Sequence, residues 1–164
     1  MNIRSPASKI VSRAAVLAER ERLRKLGKKV VFTNGCFDIV HAGHAATMAF
    51  AKQQGDVLIV GLNSDASVRR LKGDKRPVVA EQHRLALIAA FESVDYVVLF
   101  DETEVDTLVG ELKPDVLVKG MDRAGNIVGR EHVEAYGGRV VAAPFVQGLY
   151  TSSIIEKVLA AYRD

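Results

Sequence analysis

Val30-Val31-Phe32-Thr33 runs directly into Asn34-Gly35-Cys36-Phe37-Asp38-Ile39-Val40-His41-Ala42-Gly43-His44. Four apolar or β-branched residues give way to a polar turn punctuated by glycine, and the spacing beyond it predicts a helix over His44–Gln54. A run that is apolar on nearly every residue suits a strand covered on both faces. Four more such runs follow at Val57–Leu62, Val94–Phe100, Val116–Val118 and Val140–Ala143. Helix-length segments lie between them at Glu81–Glu92, Thr103–Leu112 and Gly129–Tyr136, and Thr151–Tyr162 closes the chain. Short β-rich runs alternating with helices predict an α/β fold. The expectation is a doubly wound, Rossmann-like, parallel five-stranded sheet with helices on both faces, in a single domain. Pro114 and Gly137-Gly138 fall between the elements, where breakers belong.

The chain has 164 residues, about one domain, of which 48 % are hydrophobic and 26 % charged. That balance excludes disordered and low-complexity classes. Cys36 is the single cysteine, so no intrachain disulfide can form, and a reducing, cytoplasmic compartment is expected. The apolar stretches fall far short of the ~18–20 residues that cross a bilayer, and the N-terminus lacks an apolar core of signal-peptide type. Neither secretion nor membrane association is expected.

The net charge of +3 is unevenly spread. Residues 1–29 carry nine Lys/Arg against Glu19 and Glu21, an excess of +7, which leaves the rest at −4. A duplex-binding footprint would instead be a basic stripe on the folded body, so nucleic acid is not an expected partner. Ser8–Leu26 places Ile10, Ala14, Leu17, Ala18 and Leu26 on one helical face, with Gly27 as a stop. Residues 1–28 are thus expected to form a helical arm and residues 29–164 the main domain.

Open α/β sheets bind ligands beyond the carboxyl ends of their strands, near the point where strand order reverses. Polar or glycine-rich segments stand at four such places: after Thr33, Leu62, Val118 and Ala143. In the first, Gly35 permits a tight turn and Gly43 a close approach of ligand to backbone. His44 falls at a helix start, where unpaired N–H groups favour an anion. His41 and His44, three positions apart beside that start, suit a polyphosphate, which would raise their pKa and favour the charged form. A single histidine in such a place is more often a core or capping residue. Zinc would need a third clustered ligand, and Cys36 as a nucleophile has no base placed by local spacing.

The segment Thr33–His44 resembles the HxGH signature of the nucleotidyltransferases. Asn63-Ser64-Asp65-Ala66-Ser67-Val68-Arg69-Arg70-Leu71-Lys72-Gly73 sharpens the likeness. With Arg76-Pro77, Val118-Lys119-Gly120 and Gly137-Gly138, the chain is similar to the heptose 1-phosphate adenylyltransferases, the ADP-heptose synthases, from about Lys29 to Val158. The resemblance implies that ATP and D-glycero-β-D-manno-heptose 1-phosphate give ADP-heptose and pyrophosphate, for lipopolysaccharide core or another surface glycan. Mg²⁺ would arrive on ATP, with no protein side chain assigned as its ligand.

The same resemblance assigns His41, His44 and Lys72 to catalysis. It assigns Thr33, Asn34, Gly35, Cys36, Phe37, Arg84, Gly120, Asp122, Thr151 and Ser152 to the nucleotide, and Asp38, Asn63, Asp65 and Lys119 to the sugar phosphate. Lys72 is expected in a loop with Arg69, Arg70, Lys75 and Arg76. Met121 stands where the family usually has a glycine, and Tyr150 where it usually has a serine. A homo-oligomer is implied, and a separate sugar kinase would supply the substrate. Two other readings remain open at this point. One is a cytidylyltransferase for a polyol phosphate such as glycerol 3-phosphate, although Phe145-Val146-Gln147-Gly148 replaces the Arg-Thr-Glu-Gly typical of those enzymes. The other is a non-catalytic nucleotide- or RNA-binding module.

Overall fold

A computed structural model describes residues 4–120, 127–144, 148 and 150–163. Strand β1 (Ile10–Val11) follows a short 3₁₀ turn and leads into helix α1 (Arg13–Lys25). Then come β2 (Val30–Gly35), α2 (Ala42–Lys52), β3 (Val57–Asn63), α3 (Asp65–Lys72), α4 (Glu81–Ala90) and β4 (Tyr96–Phe100). The remaining elements are α5 (Asp106–Leu112), β5 (Val116–Gly120), α6 (Arg130–Ala135), β6 (Arg139–Ala143) and α7 (Thr151–Tyr162). The strands form one sheet in the order β1-β4-β3-β2-β5-β6, and every pairing is parallel.

Strand periodicity divides the core into two layers. Val30 and Phe32 of β2, with Ile59 of β3, point to the face covered by α1, α5 and α6, where Val16, Leu108, Leu112 and Val133 are buried. Val31, Leu58 and Val60 point to the opposite face, against Met48 and Ala51 of α2 and Ile88 and Ala89 of α4. Both faces of the central strands are dry, which is why their sequences read as continuous apolar runs. The chain winds from β2 outward through β3 and β4, then crosses back to place β5 on the other side of β2. The strand order therefore reverses between β2 and β5, and their carboxyl ends flank the crevice.

Three expectations need correction. The sheet has six strands, because Ile10 and Val11 pair with Val97 and Val98 on the outer edge of β4. Two β-branched residues there satisfy part of an otherwise open edge. For the same reason the helix expected from Ser8 begins only at Arg13, where the Ser12 side chain accepts a hydrogen bond from the Ala15 N–H. Lys72 closes a helix and is not in a loop: Ser64 caps α3 by accepting from the Ser67 N–H, and Gly73 ends it at φ +87°. Much of the basic excess of the N-terminal segment is engaged internally. Arg22 pairs with Glu19 at 2.7 Å, Arg24 with Glu21 at 2.8 Å, Arg13 with Glu111 at 2.7 Å, and Arg20 with Asp115 at 3.2 Å. Among the described residues, no helix is long and apolar enough to cross a membrane.

Candidate active site

A cleft of about 550 Å³ opens over the carboxyl ends of β2 and β5, at the reversal of strand order. Residues Thr33 to Asp38, where β2 ends, line it together with His41, Gly43 and His44 at the start of α2. Asn63 enters from the end of β3, Lys72 from the end of α3, Lys119 and Gly120 from the end of β5, and Thr151 and Ser152 from the start of α7. Across the reversal, Lys119 donates to the side-chain carbonyl of Asn34. Fourteen of the seventeen residues expected at the site thus meet in one cleft.

The turn after β2 is shaped by close packing. Phe37 has a left-handed backbone at φ +46°, which folds its ring over Gly35; a Cβ there would lie 3.1 Å from that ring. The ring is buried and meets His44 edge-on, with centroids 5.2 Å apart. His44 in turn stacks on His41 with centroids 3.8 Å apart and planes 20° from parallel. His41 Nδ1 accepts the Gly43 N–H at 3.1 Å, and His44 Nδ1 accepts the His41 N–H at 3.3 Å. The two side chains are therefore the cap of α2, satisfying N–H groups that its first turn would otherwise leave unpaired.

This cap fixes the tautomers. A ring whose Nδ1 accepts must carry its proton on Nε2 if it is neutral. The charged state is expected only beside a phosphate; in the protein alone, burial lowers the pKa of both rings. His44 reaches about 4, with further lowering from His41 and Lys72. The site offers two neutral Nε2–H donors at a helix N-terminus and the Lys72 ammonium, a set suited to polyphosphate oxygens.

Two expected nucleotide or sugar contacts lie outside the cleft lining. Arg84 is fully buried. It donates to the carbonyls of Val79 (2.9 Å), Cys36 (2.6 Å) and Asn63 (2.8 Å) and to Asp65 Oδ1 (2.7 Å). It ties together the turns that follow β2 and β3 and is not among the residues lining the cleft. Asp65 is engaged by Arg84, while its own N–H is accepted by Glu81 at 2.7 Å. Asp122 lies outside the described residues, as do Met121 and the segment 145–147.

Asp38 lines the cleft, yet its oxygens are already committed: it accepts from the Val78 and Val79 N–H groups at 2.8 and 2.9 Å and from Arg76. Burial opposes its ionisation, but these donors outweigh burial and hold the carboxyl below its ordinary range. Asn63 donates to Ser67 Oγ at 2.9 Å. Thr151 donates to the Ile39 carbonyl at 3.4 Å, while the residue capping α7 is Tyr150, whose N–H is accepted by Ser153 Oγ. Sequence reasoning did not single out Thr47 or Glu104, and it quoted Arg76 beside Lys72 and Pro77 without giving it a role, although all three line the cleft. Thr47 and Glu104 carry no local signal that marks them for the site.

A family model described as cytidylyltransferase-like matches residues 32–153. The chain is similar to the bifunctional protein HldE of Pelobacter propionicus, at 53 % identity over 158 residues, 94 % of this chain and 32 % of that protein. It is also similar to the bifunctional protein HldE of Geobacter metallireducens, at 54 % identity over 151 residues, 92 % and 30 % of the two chains. The chain spans about a third of the length of these curated relatives. Among solved structures, a lipopolysaccharide core biosynthesis protein from Thermoplasma volcanium matches with a TM-score of 0.64 at 31 % identity, covering 74 % of this chain and 100 % of that one. A pantoate-beta-alanine ligase from Francisella tularensis matches with a TM-score of 0.67 over 90 % of this chain and 72 % of that one. At 17 % identity it shares the fold alone.

Proposed function

The chain belongs to the cytidylyltransferase-like family, and from that premise we propose that it is an adenylyltransferase. It transfers AMP from ATP to D-glycero-β-D-manno-heptose 1-phosphate, giving ADP-heptose and pyrophosphate for a lipopolysaccharide core or other surface glycan. The observation that carries the reading is the stacked His41–His44 pair, which caps α2 with both Nδ1 atoms and lines one cleft with Lys72. The identity to HldE proteins and to a lipopolysaccharide core biosynthesis protein supports the choice of substrate class.

The chemistry asks little of the protein beyond placement and charge. A sugar phosphate oxygen is already anionic at neutral pH, so its attack on the α-phosphorus needs no general base. What lowers the barrier is holding the two anions in line and stabilising charge on the α-phosphoryl oxygens and the departing pyrophosphate. His41 and His44 donate from Nε2, Lys72 adds a full positive charge, and the first turn of α2 adds its dipole. Lys119, held by Asn34, brings a second ammonium from the β5 side. Mg²⁺ enters as part of the MgATP substrate. Among the described residues, no group of three or more His, Cys, Asp or Glu side chains is placed to hold a metal ion. We place the reaction in the cytoplasm, carried out by a homo-oligomer and supplied with its sugar phosphate by a kinase.

The test is pyrophosphate release with Mg²⁺, heptose 1-phosphate and each nucleoside triphosphate in turn. Release with ATP and heptose 1-phosphate is the expected result. Release with CTP and glycerol 3-phosphate, and none with ATP, would replace this reading with a polyol-phosphate cytidylyltransferase. Binding of ATP without turnover on any acceptor would point to a non-catalytic module.

A further inference from the structure

Arg76 lies in the segment between α3 and α4 and lines the cleft, although only 15 % of its side chain is exposed. Its Nε donates to Asp38, whose own side chain is 1 % exposed. Its Nη2 is buried and, among the described residues, has no hydrogen-bond partner. The other Asp38 oxygen accepts the Val78 and Val79 N–H groups. One buried carboxylate therefore fixes both the guanidinium and the loop that carries it. A buried charged donor left unpaired is unfavourable and rare in native proteins, and a ligand that completes it removes the penalty. A guanidinium presents N–H groups in a rigid plane that matches two oxygens of one phosphate.

The transfer brings two polyanions together, and each needs its own cations. The imidazole pair stands at the start of α2, whereas Arg76 comes from the segment between α3 and α4 and is fixed to Asp38 in the turn after β2. We propose that Arg76, oriented by Asp38, receives the phosphate monoester of the acceptor sugar and holds it for attack. The inference rests on the adenylyltransferase reading above. In the step itself an oxygen of that monoester forms a bond to the α-phosphorus while the bond to pyrophosphate breaks; no proton moves. Arg76 contributes binding and alignment, and Asp38 is a positioning residue that acts through it.

The experiment compares wild type, Arg76→Lys and Arg76→Met by steady-state pyrophosphate release, by calorimetric titration with heptose 1-phosphate, and by thermal melting. Lysine keeps the charge beside Asp38 but lacks the planar fork, so it is the variant that stays folded if Arg76→Met does not. In Arg76→Lys, KM for the sugar phosphate should rise by about tenfold or more, with weaker calorimetric binding and an unchanged KM for ATP. A rise confined to the KM for ATP would reassign Arg76 to the triphosphate and overturn the proposal. So would unchanged binding of the sugar phosphate by a folded variant. The titration needs no turnover. A wild type that binds sugar phosphate through Arg76 but releases no pyrophosphate would sink the enzyme reading while sustaining this one.

Discussion

The imidazoles of His41 and His44 stack at 3.8 Å between centroids, and each takes one backbone N–H of the α2 start on its Nδ1. Helix cap and proposed phosphate site are thus the same two side chains. The helix start gives its N–H groups to the rings, and the rings present Nε2–H to the cleft. Protonating either ring at Nδ1 would break a cap bond, so geometry and burial both favour the neutral form.

The first prediction concerns pH. In the unliganded protein His44 should titrate near 4, against about 6.5 for an unperturbed histidine, with its proton on Nε2 above that. The folded pKa is the lower one, so the unfolded chain takes up protons first on acidification. The stability gained from burying the neutral ring is complete above about pH 6.5 and lost as pH falls through about 4. Nitrogen-detected NMR of the imidazoles reads both tautomer and midpoint. A His44 that titrates at 6.5 or higher in the free protein contradicts the cap as drawn.

His44→Ala removes one donor that should be most valuable when charge builds on the α-phosphoryl group. Turnover should fall by about 10²–10³, while ATP binding measured by calorimetry persists. Unchanged turnover would mean that the stacked pair serves only the helix.

Lys72→Met separates charge from structure. Lys72 is exposed at the end of α3, so the melting temperature should stay near wild type. The Lys72 charge also lowers the pKa of His44, so its removal should move the His44 midpoint upward. Turnover should drop at the same time. A large fall in melting temperature would make Lys72 a structural residue.

The parallel sheet was legible because doubly covered strands such as β2 and β3 are apolar almost throughout, and the place of the cleft because strand ends carried glycine and histidine. What the sequence hid depends on distant partners. Ile10 and Val11 form a strand only because β4 offers an open edge, and locally they fit a helical face. Asp65–Lys72 is short and mostly polar, so its helical nature rests on the Ser64 cap and on packing of Val68. The neutral state of the imidazoles depends on backbone N–H groups that no residue type reveals. An arginine at a helix start reads as a ligand for phosphate, and nothing local to Arg84 shows that three turns of the chain close over it.

Arg84 therefore yields the last prediction. Its guanidinium is fully buried and makes four hydrogen bonds, to Val79, Cys36, Asn63 and Asp65. Arg84→Met would leave the Asp65 carboxylate and three carbonyls without their donor, at a cost of about 3–5 kcal/mol in urea unfolding. Lysine should not restore this, because a single ammonium cannot reach partners spread around a planar fork. The Cys36 and Asn63 carbonyls border the cleft, so turnover should fall along with stability. The competing role, direct contact with ATP, makes the opposite forecast: weaker ATP binding at unchanged stability. Measuring unfolding and ATP affinity on the same Arg84→Lys protein decides between them, since a tie across loops must show itself first in the unfolding free energy.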